Sequence, residues 1–287
     1  MAFPMVIRRA STTSVITLLA ASGVGLAVAS KIRARNFSSG SNAPAFTWLT
    51  LAASEVVNRD TKRLRFALPS QQVSSGLALT SSLLVASLPK SCWLPVIRPY
   101  TPITSPDNPG VVDLLVKRYP GGKQSTHLHS LAVGEKLFVV AAIPGFSWKP
   151  NLTSHVILIA GGSGITPVFQ LMQGILRNPE DKTSTTLILG SKDNDGLLLK
   201  SELDQVAKDY PARVKAFYTV SHLIEGSTTR QGHIDKEFLE TILPHRDQEN
   251  HVFVCGPPSM EMFLVGKRNT PGILEQLGFR KNYIHTF

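Results

Sequence analysis

A small antiparallel β-barrel followed by a doubly wound α/β domain is the architecture this sequence predicts. Three observations carry that prediction. Between residues 46 and 148, short runs of β-forming residues are separated by turn-rich pieces, the spacing of a compact all-β unit. From Val156 to Ala160 the chain is continuously apolar and then enters Gly161, Gly162, Ser163 and Gly164, as a strand buried on both faces does before a glycine turn. Over residues 149–287 strand-like and helix-like segments alternate, the pattern of a parallel sheet with helices on both faces.

The segment ahead of both units is different in kind. Residues 1–37 hold Arg8, Arg9, Lys31, Arg33 and Arg35, and no acidic residue precedes Glu55, so half of the formal net charge of +10 lies in this leader. A basic, Ser-rich, acid-free leader is the mark of a mitochondrial import signal, and Arg35-Asn36-Phe37-Ser38 reads as a matrix-protease site cut after Phe37. Residues 11–30 carry no charge and are just long enough to cross a bilayer as a helix. Removed, they leave a soluble matrix protein; retained, they anchor it to a membrane. A secretory signal is the third reading. Residues 38–45 form a loose Ser/Gly/Ala/Pro linker.

The remaining basic excess is spread over a much longer stretch, with no Lys/Arg stripe interleaved with aromatics. That argues against nucleic acid and fits either a surface that meets acidic partners and anionic ligands or an ordinary solvated one. Cys92 and Cys255 are the only cysteines, too few and too far apart for a disulfide framework, a zinc site or an iron–sulfur cluster. An apolar content of 43% over 287 residues supports two packed cores, and a monomer is expected.

Within the all-β unit the strands are expected at 46–51, 64–68, 83–88, 111–116 and 136–140, with a short helix at 125–131 capped by Ser125. Arg98 and Tyr100 lie on one side of an extended run that Thr101 ends. A guanidinium binds phosphate bidentately and a phenol ring stacks on a flat heterocycle; the alternative is a surface salt bridge beside a half-buried tyrosine. Gly122-Lys123-Gln124-Ser125 precedes the helix, either as a second phosphate grip at a helix start or as a plain hairpin turn. His127 and His129, two apart, fall on different faces of a helix and have no third ligand nearby.

In the second unit, Gly161, Gly162 and Gly164 open a helix expected at 165–176, and Pro167 suits its first turn. Strand, glycine turn and helix together cradle a pyrophosphate. Strands are then expected at 186–189, 214–220 and 251–255, and helices at 201–208, 238–242, 259–266 and 272–276. Cys255 therefore sits at the carboxyl end of a strand, followed by Gly256, Pro257 and Pro258. It is either a polarisable neighbour of a ligand ring or a small buried cysteine; no histidine is placed to activate it.

Taken together, Arg98 to Thr104, Gly122 to Ser125, Gly161 to Pro167 and Cys255 to Pro258 resemble the NADH-cytochrome b5 reductase family of ferredoxin-reductase-type flavoproteins, fungal mitochondrial members in particular, over residues 46–287. The resemblance implies an FAD-binding barrel, an NAD(P)-binding α/β domain, hydride transfer from a nicotinamide to the flavin, and single-electron delivery to a heme protein such as cytochrome b5. It implies that Arg98, Lys123 and the turn from Gly122 through Gln124 to Ser125 hold the FAD phosphates, and that Pro99, Tyr100, Thr101 and Val116 contact the flavin side. Lys117 and Thr166 lie near the reacting rings, with Cys255 beside the nicotinamide. Gly161, Gly162, Gly164, Gly256, Pro257 and Met260 serve the dinucleotide, and Phe287 covers the isoalloxazine. Lys117, Arg118 and Lys123 would face an acidic acceptor. Two departures stand out. Gln124 replaces the family's usual Met. Ser221, followed by His222, stands where NADH-preferring members carry an Asp, which weakens discrimination against NADPH, with Lys192 or Arg230 available to a 2′-phosphate. Rival readings are a same-fold reductase serving a c-type heme or a quinone, and a non-catalytic flavin-binding scaffold.

Overall fold

The computed structural model describes residues 47–89, 92–223, 227, 229–243 and 249–287. The leader, its apolar segment at 11–30 and the linker lie outside the described residues. Among those described, no helix is long and apolar enough to cross a membrane.

Six strands make the first sheet: β1 (Thr47–Asn58), β2 (Thr61–Ala67), β3 (Ser82–Ser87), β4 (Val96–Tyr100), β5 (Val111–Lys117) and β6 (Lys136–Ile143). Every pairing is antiparallel, in the order β4-β3-β6-β1-β2-β5. The sheet curls, because one core gathers Leu49 and Leu51 of β1, Leu83 and Val85 of β3, Val112, Leu114 and Val116 of β5, and Tyr100 of the opposite edge strand. Alternation along each strand explains this: Val112, Leu114 and Val116 point into the barrel, whereas Leu115 points out to the second lobe's core.

Helix α1 (Lys123–Ser130) crosses between β5 and β6. It starts earlier than expected, with Gly122 and not Ser125 at its cap. The Ser125 hydroxyl is otherwise engaged. It accepts the Tyr119 N–H at 3.2 Å and donates to the Gly122 carbonyl at 3.2 Å, tying the turn together from inside the first helical turn.

A charged group is fixed in the same barrel. Asp113 is fully buried, and its carboxylate takes two bonds from Arg65, at 2.7 and 2.8 Å, and one from the Arg63 Nε at 3.0 Å. Burial alone would raise its pKa; the two guanidiniums outweigh burial and hold it below the ordinary carboxylate value. Its stabilising effect is complete above the unfolded-state pKa and is lost as pH falls through the lowered folded value. Asp113→Asn is expected to destabilise the protein by about 1–2 kcal/mol, because a buried carboxamide cannot satisfy both guanidiniums, which themselves keep access to water. An unfolding midpoint within measurement error of the parent's would contradict this.

The second lobe runs β7 (His155–Gly161), α2 (Ile165–Arg177), β8 (Ser184–Ser191), α3 (Lys200–Asp209), β9 (Val214–Val220), β10 (Arg230–Gln231), α4 (Lys236–Ile242), β11 (His251–Cys255), α5 (Pro258–Val265), the short hairpin β12 (Gly266–Lys267) and β13 (Thr270–Pro271), α6 (Ile273–Gln276) and β14 (Ile284–Thr286). Its sheet is wholly parallel, in the order β10-β9-β8-β7-β11-β14. Val156, Leu158 and Ala160 pack under α2, while Ile157 and Ile159 pack with Phe238, Leu264 and Leu274 on the other face. Burial on both faces is why β7 reads as an unbroken apolar run.

Three features were not anticipated: β10, two residues long; the β12–β13 hairpin; and β14, a three-residue strand paired in parallel with β11. The two lobes share a core: Ile103 and Leu115 of the barrel lie in one cluster with Phe169, Leu171 and Ile175 of α2. The Gln170 side chain donates across the seam to the Pro102 carbonyl at 3.4 Å.

Candidate active site

Strand order places the site. β7 leads to β8 and β9 on one side, and the chain later returns to lay β11 on β7's other side. Ligands bind outside the carboxyl ends of strands where the order reverses in this way. Here those ends are paired neighbours, Ala160 opposite Cys255. A cleft of about 2200 Å³ opens there between the lobes, more than twice the upper end of the range for a drug-sized ligand and roomy enough for two dinucleotides.

The dinucleotide wall is interlocked glycines. A Cβ on Gly164 would stand 2.1 Å from the Cys255 carbonyl oxygen, and one on Gly161 would meet the Met260 sulfur and Pro257 Cδ, both at 2.8 Å. A Cβ on Gly256 would strike Met260 Cε at 2.4 Å. Gly162 adopts a positive φ of 54° that turns the chain out of β7. α2 then starts at Gly164 with no side-chain cap and no acidic residue in its first turn. A 3-10 turn over Gly162–Gly164 leads into it, and the Ile165 N–H already donates to the Gly162 and Ser163 carbonyls, so the N–H groups open to an anion are those of the glycine turn itself. The Thr166 hydroxyl donates back to the Ser163 carbonyl at 3.2 Å and steadies this turn.

The barrel wall faces it. Arg98 is exposed in the cleft, with one Nη1 bond to the Ile97 carbonyl at 2.8 Å. Pro99, Tyr100 and Thr101 line the same wall. Burial raises the Tyr100 phenol above its ordinary pKa, so it stays protonated. Thr101 shares a 2.8 Å hydroxyl contact with Ser82. The α1 start, from Gly122 to Ser125, also faces the cleft and likewise carries no acidic first turn. Lys117 lines the cleft but is ion-paired to Asp60 at 3.3 Å. The Val116 side chain points into the barrel core, because alternation in β5 turns it away from the cleft, which leaves only its backbone to face a ligand.

Three residues at the rim behave in ways sequence did not disclose. Burial, reinforced by the Glu261 carboxylate, pushes the Cys255 thiol up to about 12, so at neutral pH it is a neutral wall and not a nucleophile. Glu261 itself accepts the Gly256 N–H at 3.1 Å. Phe287 follows β14 and lies on Phe253, ring centroids 5.6 Å apart and 27° from parallel; it also lines the cleft.

Arg230 corrects an expectation. It is not available to a 2′-phosphate: it stacks over Phe238 at 4.2 Å, donates to Thr219 Oγ1 and the His233 carbonyl, and pairs with Asp235 at 3.3 Å. Lys192 is exposed, and both it and Ser221 line the cleft.

Other residues of the site emerge only from the fold. Arg59 is ion-paired with Asp193, and Asn58 Nδ2 donates to the Asp195 carbonyl at 2.6 Å, a contact over 137 positions. Tyr119 and Ser163 hydroxyls meet at 2.6 Å. These bonds strap the lobes together along the rim. Phe263, half-exposed, adds an aromatic face to the dinucleotide wall.

Two uncapped, acid-free helix starts facing one cleft across a topological switch point suit two pyrophosphate-bearing nucleotides, and a buried donor on the barrel side, Gln124 Nε2, has no protein partner. Fold and site thus define a class: two-lobed flavoprotein oxidoreductases of the ferredoxin-reductase type. Residues 48–148 match the oxidoreductase FAD-binding domain and residues 158–265 the oxidoreductase NAD-binding domain. The chain belongs to the NADH-cytochrome b5 reductase family. It is 43% identical over 250 residues to NADH-cytochrome b5 reductase 2 of Pyricularia oryzae, covering 84% of this chain and 76% of that one. To the protein of the same name in Emericella nidulans it is 41% identical over 276 residues, covering 93% and 84%. Among solved structures, the cytochrome b5 reductase domain of Ulva prolifera nitrate reductase superposes with a TM-score of 0.75 at 30% identity, over 85% of this chain and all (100%) of that one.

Proposed function

We propose that this chain is an FAD-dependent reductase that takes hydride from NADH and hands electrons one at a time to cytochrome b5. One observation carries the reading: the Arg98 strand and the α1 start face the paired ends of β7 and β11 across a single cleft. When bound, FAD supplies both the hydride acceptor and the one-electron outlet. The chain supplies placement. Arg98, Lys123 and the free N–H groups of α1 hold phosphate. Tyr100 and Thr101 stand where the ring system and its side chain pass. The N–H groups of the Gly161–Gly164 turn hold the second pyrophosphate. Lys117, though paired with Asp60, adds positive charge beside the reacting rings. Phe287 rests on Phe253 and has to yield for a nicotinamide to approach. No residue needs to act as acid or base; orientation of the two rings in the cleft does the catalysis.

Mixing the purified flavoprotein anaerobically with NADH is expected to bleach the flavin, and adding oxidised cytochrome b5 to return it. Bleaching with reoxidation only by a c-type heme or a quinone would replace the acceptor. Absence of bleaching would leave a non-catalytic flavin binder.

Donor choice follows from Ser221. With no carboxylate there to repel a 2′-phosphate, and Lys192 exposed in the cleft, the ratio of kcat/KM for NADH over NADPH is expected to stay below about a thousandfold, or about 4 kcal/mol. A larger ratio would contradict the role given to Ser221.

Localisation rests on sequence alone. We infer import into mitochondria with cleavage after Phe37, supported by the acid-free basic leader and Arg35. Amino-terminal sequencing of the native protein should begin at Ser38; an intact leader recovered with membranes would make residues 11–30 an anchor instead.

A further inference from the structure

The last strand of the chain is tied down at a point away from the cleft. β14 is three residues long, stands at the edge of its sheet and pairs with β11. The backbone bond beyond it, from the Phe287 N–H to the Val254 carbonyl, is long at 3.4 Å. The end of a chain stays ordered only where something holds it, and here side chains add to the ladder. His251 opens β11, and His285 is the middle residue of β14, opposite Phe253. Alternation puts His251 and Phe253 on one face of β11 and His285 and Phe287 on the same face of β14. The two imidazoles lie 14° from parallel, and His251 Nδ1 stands 2.8 Å from His285 Nε2, so one ring nitrogen donates to the other. Such a bond needs at least one neutral ring. Burial lowers the pKa of both rings, and the neighbouring His251 adds to this at His285, which falls to about 4. Tyr283 meets His251 edge-on and Phe146 covers His285 at 4.6 Å, and neither carries charge at neutral pH. The next layer toward the cleft is Phe253, its ring centroid 4.8 Å from that of His285 and 5.6 Å from that of Phe287.

We propose that His285, through its bond to His251, is a positioning residue for the donor half-reaction: the pair holds β14 so that Phe287 rests on Phe253, and it sets how readily that ring leaves the cleft. The inference rests on the reading of the cleft as a flavin and nicotinamide site, and adds to it the device that governs entry. Displacing Phe287 draws the end of β14 away from β11, and the imidazole bond resists. A donor binds the molecules whose Phe287 has moved, so its apparent affinity is reduced by the fraction that is open. Neither histidine lines the cleft. The pair therefore acts on the balance between closed and open and not on the reacting rings.

The test uses His285→Phe, which keeps a flat ring against Phe253 and Phe146 and removes the nitrogens, and His251→Phe, which removes the same bond from the other side. NADH at a range of concentrations is mixed anaerobically with the flavin-loaded enzyme, and the rate of flavin reduction is followed by stopped flow. Loss of one neutral hydrogen bond is expected to lower the half-saturating NADH concentration about fivefold in either variant, with the limiting rate within twofold of the parent's. In a Phe287→Ala background the same substitutions are expected to change nothing, because the ring they release is gone. A half-saturating concentration that stays within about 1.5-fold of the parent's, or rises, overturns the proposal. So does a fall of equal size in the Phe287→Ala background, which would assign the pair to the stability of the lobe at large. If H285F does not fold, H251F carries the same expectation and the same ways to fail. A parent whose flavin does not bleach with NADH would sink the reading of the cleft itself, an outcome distinct from either variant result.

Discussion

Gly164→Ala is expected to slow reduction of bound FAD by NADH at least about a hundredfold while the flavin stays in place. The cause is local and steric. A methyl group here would sit 2.1 Å from the Cys255 carbonyl oxygen, 2.5 Å from its carbon and 2.9 Å from the Gly256 nitrogen. All three are backbone atoms of the adjoining strand end, so no side chain can swing aside. The loops after β7 and β11 have to part, and those two loops define where the nicotinamide lies. Misplacement of about 1 Å costs on the order of a hundredfold in rate. Gly162→Ala is the matching control: nothing lies within 4 Å of its Cβ, and only the positive φ is strained, at about 1–2 kcal/mol. Stopped-flow reduction rates for the two variants decide the matter. A G164A rate within threefold of the parent's would show that the close approach of these loops is not needed.

Arg98→Ala is expected to lower FAD affinity about a hundredfold with little change in the stability of the apoprotein. The guanidinium is exposed, and its one hydrogen bond is to the neighbouring Ile97 carbonyl. Removing it leaves no buried partner stranded. A charged hydrogen bond to phosphate contributes about 1.5–3 kcal/mol, and a two-pronged one lies at the upper end. FAD titration and the flavin absorbance retained through gel filtration both report on it. Unchanged occupancy would take Arg98 out of the phosphate grip and leave the α1 start to act alone.

What could be seen before folding follows a physical division. The central strands and the glycine turns were legible because burial on both faces forces unbroken apolar runs, as in β7, and because close backbone approach admits only glycine, as at Gly161 and Gly164. Arg98, Tyr100 and Thr101 were singled out by the family resemblance, since local chemistry left a surface salt bridge beside a half-buried tyrosine equally open. The residues joining the lobes could not be singled out at all. Arg59 with Asp193 and Asn58 with Asp195 are polar types at a strand end and in the short irregular pieces beyond strands, and only the fold brings them together. β14 is too short to show a period and owes its extended form to pairing with β11. Arg230 looked free because its partners, Phe238, Asp235 and Thr219, meet it from an adjacent strand and helix. The Ser125 cap failed for a related reason: its hydroxyl serves the preceding turn.

β14 has a practical consequence for handling the protein. Its pairing with β11 delivers Phe287 to the mouth of the ligand chamber, where the ring lies on Phe253. A purification tag or fluorescent fusion attached to Phe287 would begin inside that chamber and obstruct the donor. A handle inserted between Ser38 and Thr47 would survive cleavage after Phe37 and would enter a strand whose first residue, Thr47, does not line the chamber.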